Sequence, residues 1–178
     1  MKLRAIWKSL YKKIYGNINP VACCRKLGAK IGEHSMVKPS MLGGEPWLIT
    51  IGDHVLLAGG VKLLTHDGAG FCLEYQSKQK LNMDMWGEIT IGNNVYVGTN
   101  AIILPNVHIT DNVIIGAGAV VSKDITEDGV YVGVPARRVK SFEEWKEQAS
   151  KRAHNTYGMT QAERRAYFDQ LLHRDSKS

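Results

Sequence analysis

Cysteine is scarce in this chain of 178 residues: three in all, two of them adjacent (Cys23, Cys24), with no Cys-x-x-Cys pair. That argues against a disulfide framework and against a thiolate zinc site, and it reads as reduced thiols in a cytoplasmic protein. Long apolar runs are missing too. No stretch of 18 apolar residues and no signal peptide with an apolar core is found, so neither a membrane span nor export is expected. Negative charge is absent from the first 32 positions. Lys2, Arg4, Lys8, Lys12, Lys13, Arg25, Lys26 and Lys30 all precede the first acidic residue, Glu33, so the net charge of +6 is concentrated at one end. The rest of the chain has few basic residues where its pattern is most regular and no recognised nucleic-acid motif, so a nucleic-acid partner is not expected.

What is present is a period of six. From Ile91 an apolar residue returns at Val97, Ile103, Ile109, Ile115 and Val121, and a second row follows four residues behind each: Val95, Ala101, Val107, Val113, Ala119 and Ile125. A helix needs a 3.6-residue repeat and a half-buried strand a period of two, so neither explains this register. Turn formers such as Gly92-Asn93-Asn94, Gly98, Asp111-Asn112 and Gly116 fall between the rows. Two or three extended residues therefore alternate with corners. Three hexads close one coil of 18 residues, and stacked coils form a triangular prism, a mainly β fold of the parallel β-helix type.

The same register occurs earlier, at Ile31 and Val37 and again at Ile51, Leu57 and Leu63. Two interruptions separate these blocks. The first, around residues 41–49, holds Gly43-Gly44, Pro46 and Trp47; the second, an excursion over residues 66–88, loses the period altogether and reads as a functional loop.

Helical flanks are expected at both ends. Leu3, Ile6, Trp7, Leu10, Tyr11 and Ile14 recur at helical spacing among the N-terminal cations, so residues 1–26 form a basic amphipathic segment. It has two readings: residues 1–15 rest peripherally on the inner, anionic face of a membrane, or the apolar stripe plugs the open end of the prism. Residues 141–178 read as a helical extension, with one helix from Ser141-Phe142-Glu143-Glu144 and another behind the capping box Thr160-x-x-Glu163.

Three segments, Ile89-Thr-Ile-Gly-Asn-Asn-Val-Tyr-Val-Gly-Thr, Ile115-Gly-Ala-Gly-Ala-Val-Val-Ser-Lys-Asp-Ile and Gly133-Val-Pro-Ala-Arg-Arg-Val-Lys, resemble in order the hexapeptide-repeat acyltransferases. The resemblance covers roughly residues 27–140 and is narrower toward the branch that O-acetylates sugars and surface polysaccharides. It implies a left-handed parallel β-helix, a homotrimer with active sites between subunits, acetyl-CoA as donor, a carbohydrate acceptor and no metal.

The resemblance also implies site residues. His66, where the last regular rung before the excursion stops, matches the family's catalytic histidine, and a neutral imidazole can take a hydroxyl proton near neutral pH. Asp67 and Glu88 are candidates to orient it. Thr99, Ala117, Ser122 and Lys123 would line the donor groove, with Arg137 and Lys140 near the coenzyme's phosphates. Arg138 adds bulk there, and Lys140 is a point charge where the family commonly has an arginine. Read from the residues themselves, the excursion holds too many large apolar groups for a solvated loop, Tyr75, Met85 and Trp86 among them, so it is expected to fold over a neighbouring subunit or the sugar ring of the acceptor; Lys78 and Lys80 could face an acidic glycan or solvent. Other readings stay open at this level: N-acetylation of a nucleotide-linked amino-sugar, a zinc hydratase of the carbonic-anhydrase type, for which His54 and His66 lack a close third partner, and a non-catalytic scaffold.

Overall fold

The computed structural model describes residues 16–77 and 84–175. The chain divides into a unit ending at Trp145 and a second formed by residues 146–178. A short helix, α1 (Pro20–Lys26), is capped by Asn19 and leads into strands β1 (Lys30–Ile31), β2 (Ile49–Ile51), β3 (Leu56–Leu57) and β4 (Lys62–Leu63). Beyond these come β5 (His66–Asp67), α2 (Phe71–Ser77), β6 (Met85–Trp86), β7 (Ile89–Ile91), β8 (Tyr96–Val97), β9 (Ile102–Ile103), β10 (Val107–Ile109), β11 (Val113–Ile115) and β12 (Val120–Val121). The unit ends with β13 (Gly129–Val132), β14 (Arg137–Lys140) and the start of α3 (Phe142–Ser150).

The strands form three parallel faces. The first runs β1-β2-β7-β10, the second β3-β8-β11-β13 with β14 antiparallel at its edge, and the third β4-β9-β12. Partners in the regular region are 18 residues apart, as in Ile89 with Val107, Tyr96 with Ile114 and Ile102 with Val120. Both apolar rows read from the sequence are buried in full, from Ile91 and Val95 to Val121 and Ile125. Each row points inward because a strand of two or three residues between corners presents the same phase to the interior on every coil.

Corners carry the register in their side chains. The Asn93 Oδ1 accepts the Asp53 backbone N–H at 2.9 Å, and Asp111 Oδ1 accepts that of Asn93 at 2.6 Å, so these two corner amides are satisfied by the coil that follows. Asn94, Asn100, Asn106 and Asn112 take left-handed backbone (φ 55 to 59), a conformation asparagine tolerates better than other residues with a Cβ.

At the N-terminal end Cys24 is buried in the core cluster with Val21 packed on it, so α1 covers the opening. Arg25 fastens it, donating from Nε to the Ile31 carbonyl at 2.9 Å. The amphipathic stripe of residues 3–14 lies outside the described residues. In the second unit the expected capping box is present: Thr160 N–H donates to Glu163 Oε2 at 2.7 Å, ahead of α4 (Gln161–Asp175). No described helix is long and apolar enough to cross a membrane.

Candidate active site

The two interruptions of the hexad pattern are not independent. In the first, Lys30 pairs with Thr50, 20 positions on, so that coil has two residues more than a regular one. In the second, Ile49 pairs with Ile89, 40 positions on, an insertion of 22 residues. Both lie against the same rung. Leu63 donates its N–H to the Met41 carbonyl on one side, and Gly87 N–H donates to the Thr65 carbonyl on the other, both at 2.9 Å. His66 stands where the three segments meet.

Glycine makes this packing possible. A Cβ on Gly43 would collide with the Thr65 hydroxyl, whereas one on Gly44 would only make ordinary contact with the His66 ring, 3.4 Å from Cε1. The next residue, Glu45, is 8% exposed, an unusual place for a carboxylate. Its Oε2 accepts two hydrogen bonds, from the Thr65 hydroxyl at 2.6 Å and from His66 Nδ1 at 2.8 Å. Thr65 is itself 1% exposed, so this is an interior polar network with its partners in place.

The electrostatics follow from this contact. Burial alone would push the Glu45 carboxyl up, but the hydrogen bonds from Thr65 and His66, with the imidazole's charge, outweigh it and hold the group below the usual carboxylate value. His66 moves the other way. The hydrogen bond to Glu45, then its charge, raises the imidazole above the ordinary histidine value; desolvation opposes this, and the charges of Asp84 and Asp67 add to it. With a carboxylate on Nδ1 the neutral ring carries its proton there, which leaves the Nε2 lone pair to act. The side chain of His66 is 44% exposed, so a substrate can reach it.

The orienting carboxylate is therefore not one of the two expected from sequence. Asp67 Oδ1 accepts the Ala69 backbone N–H at 2.8 Å and starts the turn Gly68–Gly70, because a carboxylate at the head of a helical turn satisfies a free amide. Glu88 is exposed beyond Gly87. Glu45 escaped notice because an acidic residue between Gly-Gly and Pro reads as part of a solvated turn. Only its stacking against Thr65 and His66 reveals it.

The described parts of the excursion, residues 66–77 and 84–88, hold regular elements. β5 and β6 pair antiparallel, His66 opposite Trp86 and Asp67 opposite Met85, and α2 follows the Gly68–Gly70 turn. Trp86 lies against His66, ring centroids 5.1 Å apart and planes tilted by 44°. Met85 and Trp86 are each half exposed; Tyr75, on α2, is exposed. Lys78 and Lys80 are outside the described residues.

The expected donor residues fall at two corners flanking the third face. Thr99 and Ala117 are exposed at the corner before it, where Gly118 N–H donates to the Thr99 carbonyl at 2.8 Å. Ser122 and Lys123 follow β12 at the corner beyond it and join Tyr131, Ala136 and Arg137 around a recess of about 160 Å³. Backbone bonds place Leu64, Leu104 and Ser122 in one column at that corner, so the recess is two coils, about 10 Å, from the His66 rung. Lys140 departs from the expected cluster. It stands at the other end of β14 from Arg137, where its charge bears on Glu144. Arg138 is not part of the recess lining; it donates from Nε to the Asp128 carbonyl at 2.8 Å and pairs with the Asp128 carboxylate.

A larger recess, about 370 Å³, covers Leu56, Tyr96 and Ile114 on the second face beside Phe142 and Trp145. Its histidine, His54, meets the Asn94 carboxamide and not a carboxylate. Among the described residues no three His, Cys, Asp or Glu side chains converge as metal ligands.

Residues 88–123 match the family model described as bacterial transferase hexapeptide (six repeats). Protein CapG of Staphylococcus aureus is 40% identical over 146 residues, which span 80% of this chain and 83% of CapG. The chain belongs to the hexapeptide-repeat acetyltransferase family. Within the family, the galactoside O-acetyltransferase of Escherichia coli (strain K12) is 39% identical over 99 residues, 55% of this chain and 46% of that protein. Among solved structures, the acetyltransferase VCA0836 of Vibrio cholerae O1 biovar eltor, complexed with acetyl coenzyme A, superposes with a TM-score of 0.59 at 24% identity, covering 76% of this chain and 82% of that one. This last likeness concerns the fold.

Proposed function

We propose that the protein is an acetyl-CoA-dependent O-acetyltransferase that modifies a carbohydrate hydroxyl, with His66 as general base. The observation that carries the reading is the buried Glu45 carboxylate on Nδ1 of an accessible histidine. A scaffold would not need a desolvated acid held behind one exposed imidazole. In the reaction, Nε2 takes the proton of the acceptor hydroxyl as its oxygen bonds to the thioester carbonyl carbon. The tetrahedral intermediate collapses with cleavage of the C–S bond, and the departing thiolate takes the proton back from the imidazolium. Glu45 keeps the ring oriented and stabilises its charged form during the step. A base placed in this way contributes on the order of 10²–10⁴ in rate.

Ser122, Lys123 and Arg137 support the donor side, since a recess edged by two cations suits the phosphate end of the coenzyme. Thr99 and Ala117, at the opposite corner of the same face, suit its pantetheine arm. A left-handed coil and a trimer that places these corners beside a neighbour's His66 complete the reading. An O-acetylated sugar is favoured because relatives named for acetyl transfer to galactosides and lipopolysaccharide are among those this chain resembles. The test is a panel of free sugars, nucleotide sugars and oligosaccharides with acetyl-CoA, followed by release of free thiol. Rates no higher than those of His66→Ala across the panel would overturn the assignment.

A further inference from the structure

Among the described residues Trp86 is the large aromatic in ring contact with His66, and half of it is exposed. Its place does not depend on the course of the excursion. The antiparallel register of β5 and β6 sets Trp86 directly opposite His66, and the neighbouring Gly87 is pinned to Thr65 by a backbone hydrogen bond. The indole is therefore carried by the same rung as the base. Half exposed beside an accessible imidazole, the indole presents an apolar face next to a polar one. Among the described residues the charges that bear on His66 are negative: Asp67 and Asp84 act on it from either strand of the pair, and Glu45 stands behind the ring.

From this arrangement we infer that Trp86 is the acceptor platform, taking the C–H face of an uncharged hexopyranose so that one ring hydroxyl meets His66 Nε2. A pyranose has one face of nearly parallel C–H bonds, apolar and weakly positive. It matches the negative face of the indole, while hydroxyls project from the rim toward Nε2. An open-chain alcohol lacks that face, and a uronate would bring a carboxylate beside Asp67 and Asp84. The inference rests on the acetyltransfer reading for its reaction but not for its binding.

Two measurements test it. With methyl β-D-glucopyranoside and methyl β-D-galactopyranoside as probes, saturation-transfer NMR on the inactive His66→Ala protein should show the strongest transfer at the ring C–H protons, and none in the Trp86→Ala double variant. In steady-state kinetics, Trp86→Ala should raise KM for the pyranoside roughly fivefold to tenfold, as loss of one aromatic contact implies, with KM for acetyl-CoA within twofold; Trp86→Phe should recover most of the loss. Methyl glucuronoside should be the poorer acceptor. Saturation that persists without Trp86, or a Trp86→Ala effect confined to kcat and its pH profile, would overturn the platform and leave Trp86 as packing for the imidazole. Glucuronoside used as well as glucoside would overturn the preference for an uncharged ring. Binding without thiol release in the wild-type protein would sink the acetyltransfer reading alone.

Discussion

His66 Nδ1 stands 2.8 Å from Glu45 Oε2, and the two residues are 21 positions apart on successive coils. A histidine held in this way has a raised pKa, so its neutral form is reached only at higher pH than for a free histidine.

The first prediction follows from the sign of that shift. The imidazole must be neutral to accept a proton, so kcat/KM should rise with pH through a value above 6.5 and level off beyond it. Glu45→Gln keeps an acceptor for Thr65 and His66 but removes the charge. The acid limb should then move to lower pH, and the plateau rate should fall by about tenfold or more, because the imidazolium is no longer stabilised. A pH–rate profile of both proteins checks this; an unmoved limb would show that Glu45 does not act on the base.

The adjacent arginines separate binding from folding. Arg137 lines the recess with Ser122 and Lys123, whereas Arg138 is engaged with Asp128. Arg137→Ala should raise KM for acetyl-CoA about tenfold at low salt, the value of one charge-assisted contact, and the effect should shrink as salt rises. Arg138→Ala should leave that KM nearly unchanged and cost only a few tenths of a kcal/mol to about 1 kcal/mol, since its ion pairs are partly exposed. Donor-varied kinetics and denaturant titration distinguish the two, and equal KM effects would contradict the placement.

Corner asparagines should be sensitive to their backbone. Asn94 has φ 55 and donates from Nδ2 to Asn112 Oδ1 at 2.7 Å. Asn94→Ala should cost about 1–2 kcal/mol for the left-handed conformation, beyond the lost hydrogen bond, while Asn94→Gly should lose less because glycine adopts that backbone freely. Urea unfolding midpoints give the comparison. If the alanine variant were the more stable of the two, the corner would not be strained.

The regular part of this fold was legible because inward and outward positions repeat with a fixed phase. Ile91 and Ile109 are equivalent in sequence and in space, so a periodic pattern is enough. His66 was legible at the edge of that pattern. Glu45 was not, because its burial goes with two extra residues in one coil and with the missing side chain of Gly43, and no periodicity reports either. Lys140 and Arg137 were grouped by the resemblance, which implied that both approach the coenzyme's phosphates. The four-residue strand between them carries them to opposite ends, about 10 Å apart.

Thr65 and Gly87 are joined by a backbone hydrogen bond across the 21 residues that separate them, so the coil stack continues as though the excursion were absent. What lies between can change in length and composition without altering the registration of the coils around it. The excursion is thus a replaceable cassette in the architecture. Exchanging residues 68–84 between related proteins, with the His66 and Trp86 pair kept as the splice, should leave the prism intact, and acceptor kinetics of the exchanged proteins would show whether the excursion sets preference.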